Sequence, residues 1–174
     1  MKMRRFAVAL LAFLAMTANA QTNKNHASAV GTWKLDVTHS DFGPGPAPKS
    51  VTITILADTP QMLSWRVKYV DDKGKSLAYS WSGAADGSMH PLKVQSGAED
   101  LWLKESAKID QDGSLHRHGE FKDGSSFDSQ IVLSDDGNTL TEVDVSKSKE
   151  GKQETKATSV LHRVRSVKTG GAKS

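Results

Sequence analysis

Apolar and polar residues alternate along most of this chain, and that alternation constrains the fold more than any other feature. Trp33, Leu35 and Val37 form the first series of this kind. Later series run from Val51 to Ile55, from Leu63 to Tyr69 and from Leu77 to Trp81. A β-strand points successive side chains to opposite faces of its sheet. Each series therefore predicts a strand with one buried face.

Short turn signals separate these series and the β-rich segments that follow them. They stand at Asp72-Lys73-Gly74, Asp86-Gly87, Asp112-Gly113, Asp123-Gly124, Asp136-Gly137 and Glu150-Gly151. Asp-Gly supplies the positive φ that tight hairpin turns require. No convincing amphipathic helix lies between the strands. The sequence therefore predicts an all-β fold, an antiparallel up-and-down meander of about eight to ten strands that closes into a barrel.

The first twenty residues have the pattern of a secretory signal peptide. Lys2, Arg4 and Arg5 precede an apolar run from Phe6 to Met16, and Ala18-Asn19-Ala20 supplies the small side chains of a cleavage site. The run is shorter than the roughly 20 residues that span a bilayer as a helix, so we expect a cleaved leader and no stable membrane anchor. The sequence predicts export to the periplasm or out of the cell.

Removal of this leader changes the charge of the chain. The full sequence has 23 Lys plus Arg and 20 Asp plus Glu, and three of the basic residues lie in the leader, which leaves 20 of each sign. No basic patch remains to attract phosphates or anionic lipids, so no nucleic-acid partner is expected. Cysteine is absent, which excludes disulfides and thiol chemistry.

The composition of the two ends suggests where the domain lies. Residues 21–29 are polar and lack periodicity, and residues 166–174 are small and polar. We therefore expect a signal peptide at 1–20, a flexible N-terminus at 21–29, one barrel domain at 30–165 and a flexible tail at 166–174. The sequence leaves the oligomeric state open.

Gly31-Thr32-Trp33 at the head of the first strand is similar to the Gly-x-Trp signature of lipocalins and their calycin relatives. Arg163, in the last β segment, resembles the basic residue that those barrels place over the tryptophan. The stretch from Gly31 to Ser50 looks more specifically like bacterial exported lipocalin-like proteins. The resemblance implies a lipocalin-like barrel in which Trp33 and Arg163 are structural closure residues at one end.

Large aromatic side chains are predicted to face the barrel interior. A barrel of this size is either filled by its side chains or holds one small ligand among them. The first hypothesis is a non-catalytic binding protein for a small apolar or amphipathic molecule, with Trp65, Tyr69, Tyr79 and Trp81 as ligand contacts. The alternative is an interaction or inhibitor protein with a filled barrel, which acts through the proline-rich connection Ser40–Lys49.

A third hypothesis is a periplasmic metal-binding protein. His116, His118 and Glu120 alternate along one predicted strand and would share one of its faces. Two imidazoles and a carboxylate suit zinc or copper. Leu115 and Phe121 lie on the opposite face and favour the interior, so solvent-exposed histidines are the default interpretation.

Motifs for catalysis are missing from the sequence. Ser80-Trp81-Ser82-Gly83 lacks the leading glycine of a nucleophile elbow, and there is no glycine-rich loop that would cradle phosphates. We therefore predict no enzyme, no catalytic residues and no cofactor.

Overall fold

The computed structural model describes residues 28–97, 102–151 and 154–165. The predicted leader at 1–20 and the predicted tail at 166–174 lie outside the described residues. The strands are β1 (Gly31–Leu35), β2 (Ser50–Thr59), β3 (Met62–Val70), β4 (Ser76–Gly83), β5 (His90–Pro91), β6 (Lys93–Ser96), β7 (Trp102–Ile109), β8 (Leu115–Phe121), β9 (Ser126–Leu133), β10 (Thr139–Lys147) and β11 (Glu154–Arg163). A single 3-10 turn, Val37–His39, is the one helical element in these ranges, and none of their helices is long and apolar enough to cross a membrane.

The eleven strands form one antiparallel sheet in the order β5-β7-β8-β9-β10-β11-β1-β2-β3-β4-β6. β11 returns beside β1, where Arg163 lies opposite Trp33. β5 pairs with β7 at one edge of the sheet, and β6 pairs with β4 at the other. Since β5 and β6 are consecutive in the chain, residues 90–96 bridge the gap between β4 and β7 and nearly close the barrel.

The all-β antiparallel barrel predicted from the sequence is confirmed. The described chain has eleven strands where about eight to ten were expected. The difference lies in the bridging segment, which contributes two strands of only two and four residues. Segments this short carry no alternation that a sequence pattern could detect.

Trp81 connects β4 to β7, two strands that do not pair with each other in the sheet. Its indole Nε1 donates a hydrogen bond to the backbone oxygen of Glu105, at 2.9 Å. The Trp81 ring stacks on Trp65 with 4.4 Å between ring centroids, and the His90 ring meets its edge at 5.8 Å. Gly83 has no side chain, and a Cβ there would collide with both Trp81 and His90. Aromatic packing therefore replaces ladder hydrogen bonds at this joint.

Three of the Asp-Gly turns, at residues 112–113, 123–124 and 136–137, have a common geometry, whereas the Gly87 nitrogen of Asp86-Gly87 donates to the Ala107 oxygen on β7. Between β7 and β8, the Gly113 nitrogen donates to the Asp110 oxygen at 3.0 Å, and Asp112 Oδ1 accepts from the Ser114 nitrogen at 2.9 Å. Gly113 has a φ of +86°, and no residue other than glycine has a positive φ in the described part of the chain. The turn is therefore a type I turn followed by a left-handed glycine. The mirror-image type I′ turn would require two positive φ values.

One end of the barrel is closed by Trp33 and Arg163. The Trp33 side chain is fully buried, and its Nε1 donates to the Ala29 oxygen at 2.8 Å. Arg163 lies over the Trp33 ring, with 4.2 Å from Cζ to the ring centroid. Its guanidinium also donates to the backbone oxygens of Ser28, Val30 and Gly137. Ala29, assigned by the sequence pattern to the flexible N-terminus, is buried in this closed end.

The glycine of the Gly-x-Trp motif has a steric role at the same end. Gly31 has a φ of +147°, and a Cβ at this position would lie 2.8 Å from Arg163 Nη1. A side chain at residue 31 would therefore displace the guanidinium from its place over Trp33.

We predict that Trp33→Ala destabilises the protein by about 3 to 5 kcal/mol, because it removes a large, fully buried side chain and leaves a cavity. The measurement is urea unfolding followed by far-UV circular dichroism. Lys34→Ala, at the exposed next residue, is the matched control. A loss below about 1 kcal/mol for Trp33→Ala, the range of ordinary surface substitutions, would contradict the closure role.

Candidate binding cavity

The half of the barrel away from Trp33 contains a cavity of about 520 Å³. Pockets for small organic ligands have volumes of roughly 300 to 1,000 Å³, so this cavity has room for one such molecule. Its apolar and aromatic wall includes Val51, Val67, Leu77 and Ala157 together with Phe42, Tyr69, Tyr79, Phe121 and Phe127.

The proline-rich connection between β1 and β2 forms one side of this cavity. Its contributions to the lining are Phe42, Pro46 and Pro48. The connection is held against β11 by a bridge in which the Asp41 and Thr158 backbones exchange two hydrogen bonds, and by the Val160 nitrogen, which donates to Ser40 Oγ at 2.9 Å. β1 ends at Leu35, so this segment continues the wall along β11 where β1 no longer reaches.

The floor of the cavity is built around Arg117, which projects inward from β8 and is only 9% exposed. Its Nε lies 3.0 Å from Glu105 Oε1, and its Nη2 lies 3.4 Å from Glu142 Oε1. The guanidinium carbon is 5.5 Å from the centroid of the Trp65 ring and 5.4 Å from that of Phe127. Two strands therefore supply carboxylates, and two aromatic rings flank the cation.

Arg117 and Glu142 also separate the large cavity from a small one of about 50 Å³ near the closed end. The small cavity is lined mainly by aliphatic side chains, among them Ile53, Leu63, Leu115, Ile131, Leu140 and Leu161. A space of this size accommodates a water molecule or two. The large cavity is therefore the candidate ligand site.

The floor contains three acidic side chains, Glu105, Glu142 and Asp144, and one basic side chain, Arg117. Burial raises the pKa of Glu105 to about 7, although the nearby Arg117 charge opposes the rise. Burial also raises the pKa of Asp144 to about 7, and the charge of Glu142 adds to the effect. Burial disfavours the charged form of Arg117, but Glu105 and Glu142 outweigh it and hold the pKa of Arg117 above its ordinary value.

Hydrogen bonding in the floor is incomplete. Among the described residues, four buried atoms of the cluster have no hydrogen-bond partner. They are both carboxylate oxygens of Glu105, Oε1 of Glu142 and the donor Nε of Arg117. The contacts of Arg117 with Glu105 and Glu142 are therefore ion pairs by distance, without the angles of hydrogen bonds. Burial also raises the pKa of Tyr79, which keeps this phenol neutral beside the cluster.

The four aromatic residues predicted as ligand contacts lie at different depths of the barrel. Tyr69 and Tyr79 line the large cavity. Trp65 lines the small cavity. Trp81 is buried against Trp65 at the joint between β4 and β7 and lines neither of these two cavities. The structure thus brings two of the four to the candidate site.

Sequence reasoning missed the charged residues of the floor, although a signal for them exists. Arg117 lies in phase with Leu115 and Phe121 on β8, and Glu142 and Asp144 lie in phase with an apolar residue on β10. A charged residue at an inward position of an alternating strand indicates a buried ion pair or a polar site.

His116, His118 and Glu120 lie on the outer face of β8, with side chains between 40% and 43% exposed. Their charged partners are Asp110, Asp128 and Lys104, at 3.1, 2.7 and 3.2 Å respectively. Within the described ranges, no three or more His, Asp or Glu side chains form a group that could hold a metal ion.

Two solved structures share this architecture. One is a mutant of the fluorescent protein UnaG, with a TM-score of 0.52 and 13% sequence identity over 78% of this chain and 96% of that chain. The other is the S-type phycobiliprotein lyase CPES from Guillardia theta, with a TM-score of 0.50 and 14% identity over 79% and 89%. No protein-family model and no curated protein matches the chain by sequence. The structural likeness shows the fold alone, an antiparallel β-barrel.

The raised pKa values predict that stability falls as the pH rises from about 5 to 8. Glu105 binds its proton more tightly in the folded than in the unfolded chain, so its contribution is complete below its unfolded pKa and is lost as the pH rises through about 7. We expect Glu105→Gln to reduce this decline in the free energy of unfolding by about 1 to 3 kcal/mol.

Urea titrations at the two pH values measure this effect. Glu154→Gln, at an exposed position, should keep the wild-type pH dependence. An unchanged pH dependence in Glu105→Gln would show that Glu105 does not titrate in this range.

Gly119 on β8 provides space for the Phe127 ring of the neighbouring strand. A Cβ at Gly119 would collide with three carbons of that ring. We predict that Gly119→Ala destabilises the protein by about 1 to 3 kcal/mol through overpacking, and that Phe127→Leu in the same chain recovers part of the loss. A thermal unfolding cycle of the two single variants and the double variant measures the coupling. Strict additivity would contradict the contact.

Proposed function

We propose that this protein is an exported, non-catalytic binding protein that holds one small amphipathic molecule in the large cavity of its barrel. The observation that carries the proposal is the cavity itself, about 520 Å³ with apolar and aromatic walls above a charged floor. A ligand that combines an apolar body with a polar group matches both parts of this lining. UnaG and the lyase support the proposal only in having the same kind of barrel.

The walls would supply most of the affinity. Burial of apolar ligand surface is favourable by roughly 25 cal/mol per Å² before the costs of immobilising the ligand and ordering its contacts. Backbone hydrogen bonds already hold the connection 36–49 at both ends, through Asp36 and Asp41 to β11 and through Lys49 to Val70 on β3, so its side of the cavity needs little ordering on binding. The loss of conformational entropy is correspondingly small.

Export is proposed from the leader pattern at 1–20. Its basic start, apolar run and small residues at 18 and 20 are those that signal peptidase recognises. Intact-mass analysis of the protein released from the periplasm of a bacterial host tests the proposal. A chain that begins at Gln21 supports it, and an uncleaved chain in the cytoplasm contradicts it.

The inhibitor alternative has less support. It requires Ser40–Lys49 to present its side chains to a partner protein, whereas Phe42, Pro46 and Pro48 line the cavity. A binding function makes direct use of these side chains, so we retain the ligand-binding proposal alone.

We predict that the natively purified protein carries a small molecule that denaturation and refolding remove. The measurement is mass spectrometry of organic extracts from native and refolded samples. Ala157→Trp fills the cavity from β11 and should abolish the bound molecule, whereas Lys156→Trp at an exposed neighbour should retain it. Equal extracts from the wild type and Ala157→Trp would show that any bound molecule lies elsewhere.

A further inference from the structure

We propose that the ligand carries a cationic nitrogen, as an alkylammonium does, and that this group binds between Glu142 and Asp144 at the floor of the large cavity. This inference rests on the proposed function and specifies the chemical class of the ligand. Three observations support it: the charges of the floor, a buried carboxylate oxygen without a hydrogen bond, and the aromatic wall.

The acidic side chains of the floor disfavour an anionic ligand. Arg117 already has Glu105 at 3.0 Å and Glu142 at 3.4 Å. Asp144, on the same strand as Glu142, also lines the cavity. A ligand carboxylate near Arg117 would therefore meet the carboxyl groups of Glu142 and Asp144 in the cavity wall, and like charges that are close together in a poorly hydrated site repel strongly. A ligand cation would instead balance the acidic excess.

Glu142 supplies the second observation. It is 8% exposed and lines the large cavity, yet its Oε1 has no hydrogen-bond partner among the described residues. Arg117 Nη2 lies 3.4 Å from this oxygen without the geometry of a hydrogen bond, and a buried acceptor that lacks a hydrogen bond is unfavourable. An ammonium group offers up to three N–H donors and no acceptor, so it would satisfy this oxygen and reach the neighbouring Asp144 as well.

The aromatic wall is the third observation. Tyr69, Phe42, Phe121 and Phe127 all line the cavity above the floor. The face of an aromatic ring carries partial negative charge and attracts a cation within about 6 Å of its centroid. Arg117 already uses the Phe127 ring in this way, at 5.4 Å. The same surface that buries an apolar ligand body therefore also favours a positive group.

The binding of such a cation should depend on pH. The groups that face Asp144 are Glu142 on its own strand, Arg117 on β8 and Glu105 on β7, with Tyr79 beside them on β4. The pKa values of Asp144 and Glu105 are raised to about 7. As the pH falls below 7, protons bind to these carboxyl groups and compete with the cation. Its affinity should fall between about pH 8 and pH 5.

A displacement titration with three probes of equal chain length tests the inference. The protein is first denatured and refolded to remove any resident molecule. The neutral dye Nile red is then bound to the refolded full chain and displaced by n-octylamine, 1-octanol or octanoate. We expect octylamine to displace the dye at a concentration about tenfold or more below that of octanol, because a charged hydrogen bond adds to the same apolar burial. Octanoate should be the weakest competitor.

Two substitutions of the same chemistry identify the group responsible. Asp144→Asn should reduce the preference for octylamine over octanol to less than about threefold, because the substitution removes the negative charge that attracts the ammonium group. The binding of octanol should be retained. Asp128→Asn, on the outer face of the adjacent strand β9, should keep the full preference. Glu142→Gln is the second interior variant, and it should show the same loss of preference for octylamine. It also serves as the test if Asp144→Asn does not fold.

The outcomes distinguish the two proposals. Absence of dye binding to the wild-type protein would overturn the proposed binding function and this inference with it. Dye binding with equal displacement by octylamine and octanol, or with octanoate as the strongest competitor, would overturn the cationic ligand and leave the binding function standing. Retention of the octylamine preference in both interior variants would overturn the assignment to Glu142 and Asp144.

Discussion

The interior of this barrel is organised by one buried cation. Arg117 is flanked by Glu105 on β7 and Glu142 on β10, and its guanidinium lies near the rings of Trp65 and Phe127. Buried ion pairs are weak contributors to stability, because the cost of removing charges from water offsets much of their attraction. Apolar residues in place of the whole cluster would make the barrel at least as stable, whereas loss of Arg117 alone would leave two buried carboxyl groups without their cation. The cluster is therefore better understood as the boundary between a packed half and a half with space for a ligand.

The two halves are finished in different ways. At the closed end, Trp33 and Arg163 hold the residues that precede β1 against the sheet, and Gly31 leaves room for the guanidinium. At the other end, the connection between β1 and β2 forms part of the wall. Trp81 joins the two long edges of the sheet beside the floor, through its hydrogen bond to the Glu105 backbone. The same residue, Glu105, thus takes part in barrel closure through its backbone and in the charged floor through its side chain.

Alternation and Asp-Gly turns were sufficient to predict an antiparallel barrel, because both are local properties of the chain. Neither property predicts how deep in the barrel each inward side chain lies. Trp81 pairs with Trp65 and Tyr79 with Val67, and this register, which alternation does not encode, decides which aromatic residue meets which cavity. Burial of Ala29 was missed for a related reason, since it depends on a hydrogen bond from Trp33 and on no pattern within residues 21–29.

The lengths of the strands have a consequence for how fast a ligand would exchange. β1 has five residues, whereas its neighbours β2 and β11 have ten each. Beyond the end of β1, the wall is attached to β11 mainly by the two-bond bridge at Asp41 and by Ser40. Separation of this short attachment breaks far fewer hydrogen bonds than separation of any full strand pair. The residence time of a ligand would therefore depend on how often the connection between β1 and β2 opens locally. It would not depend on the free energy of unfolding of the whole barrel.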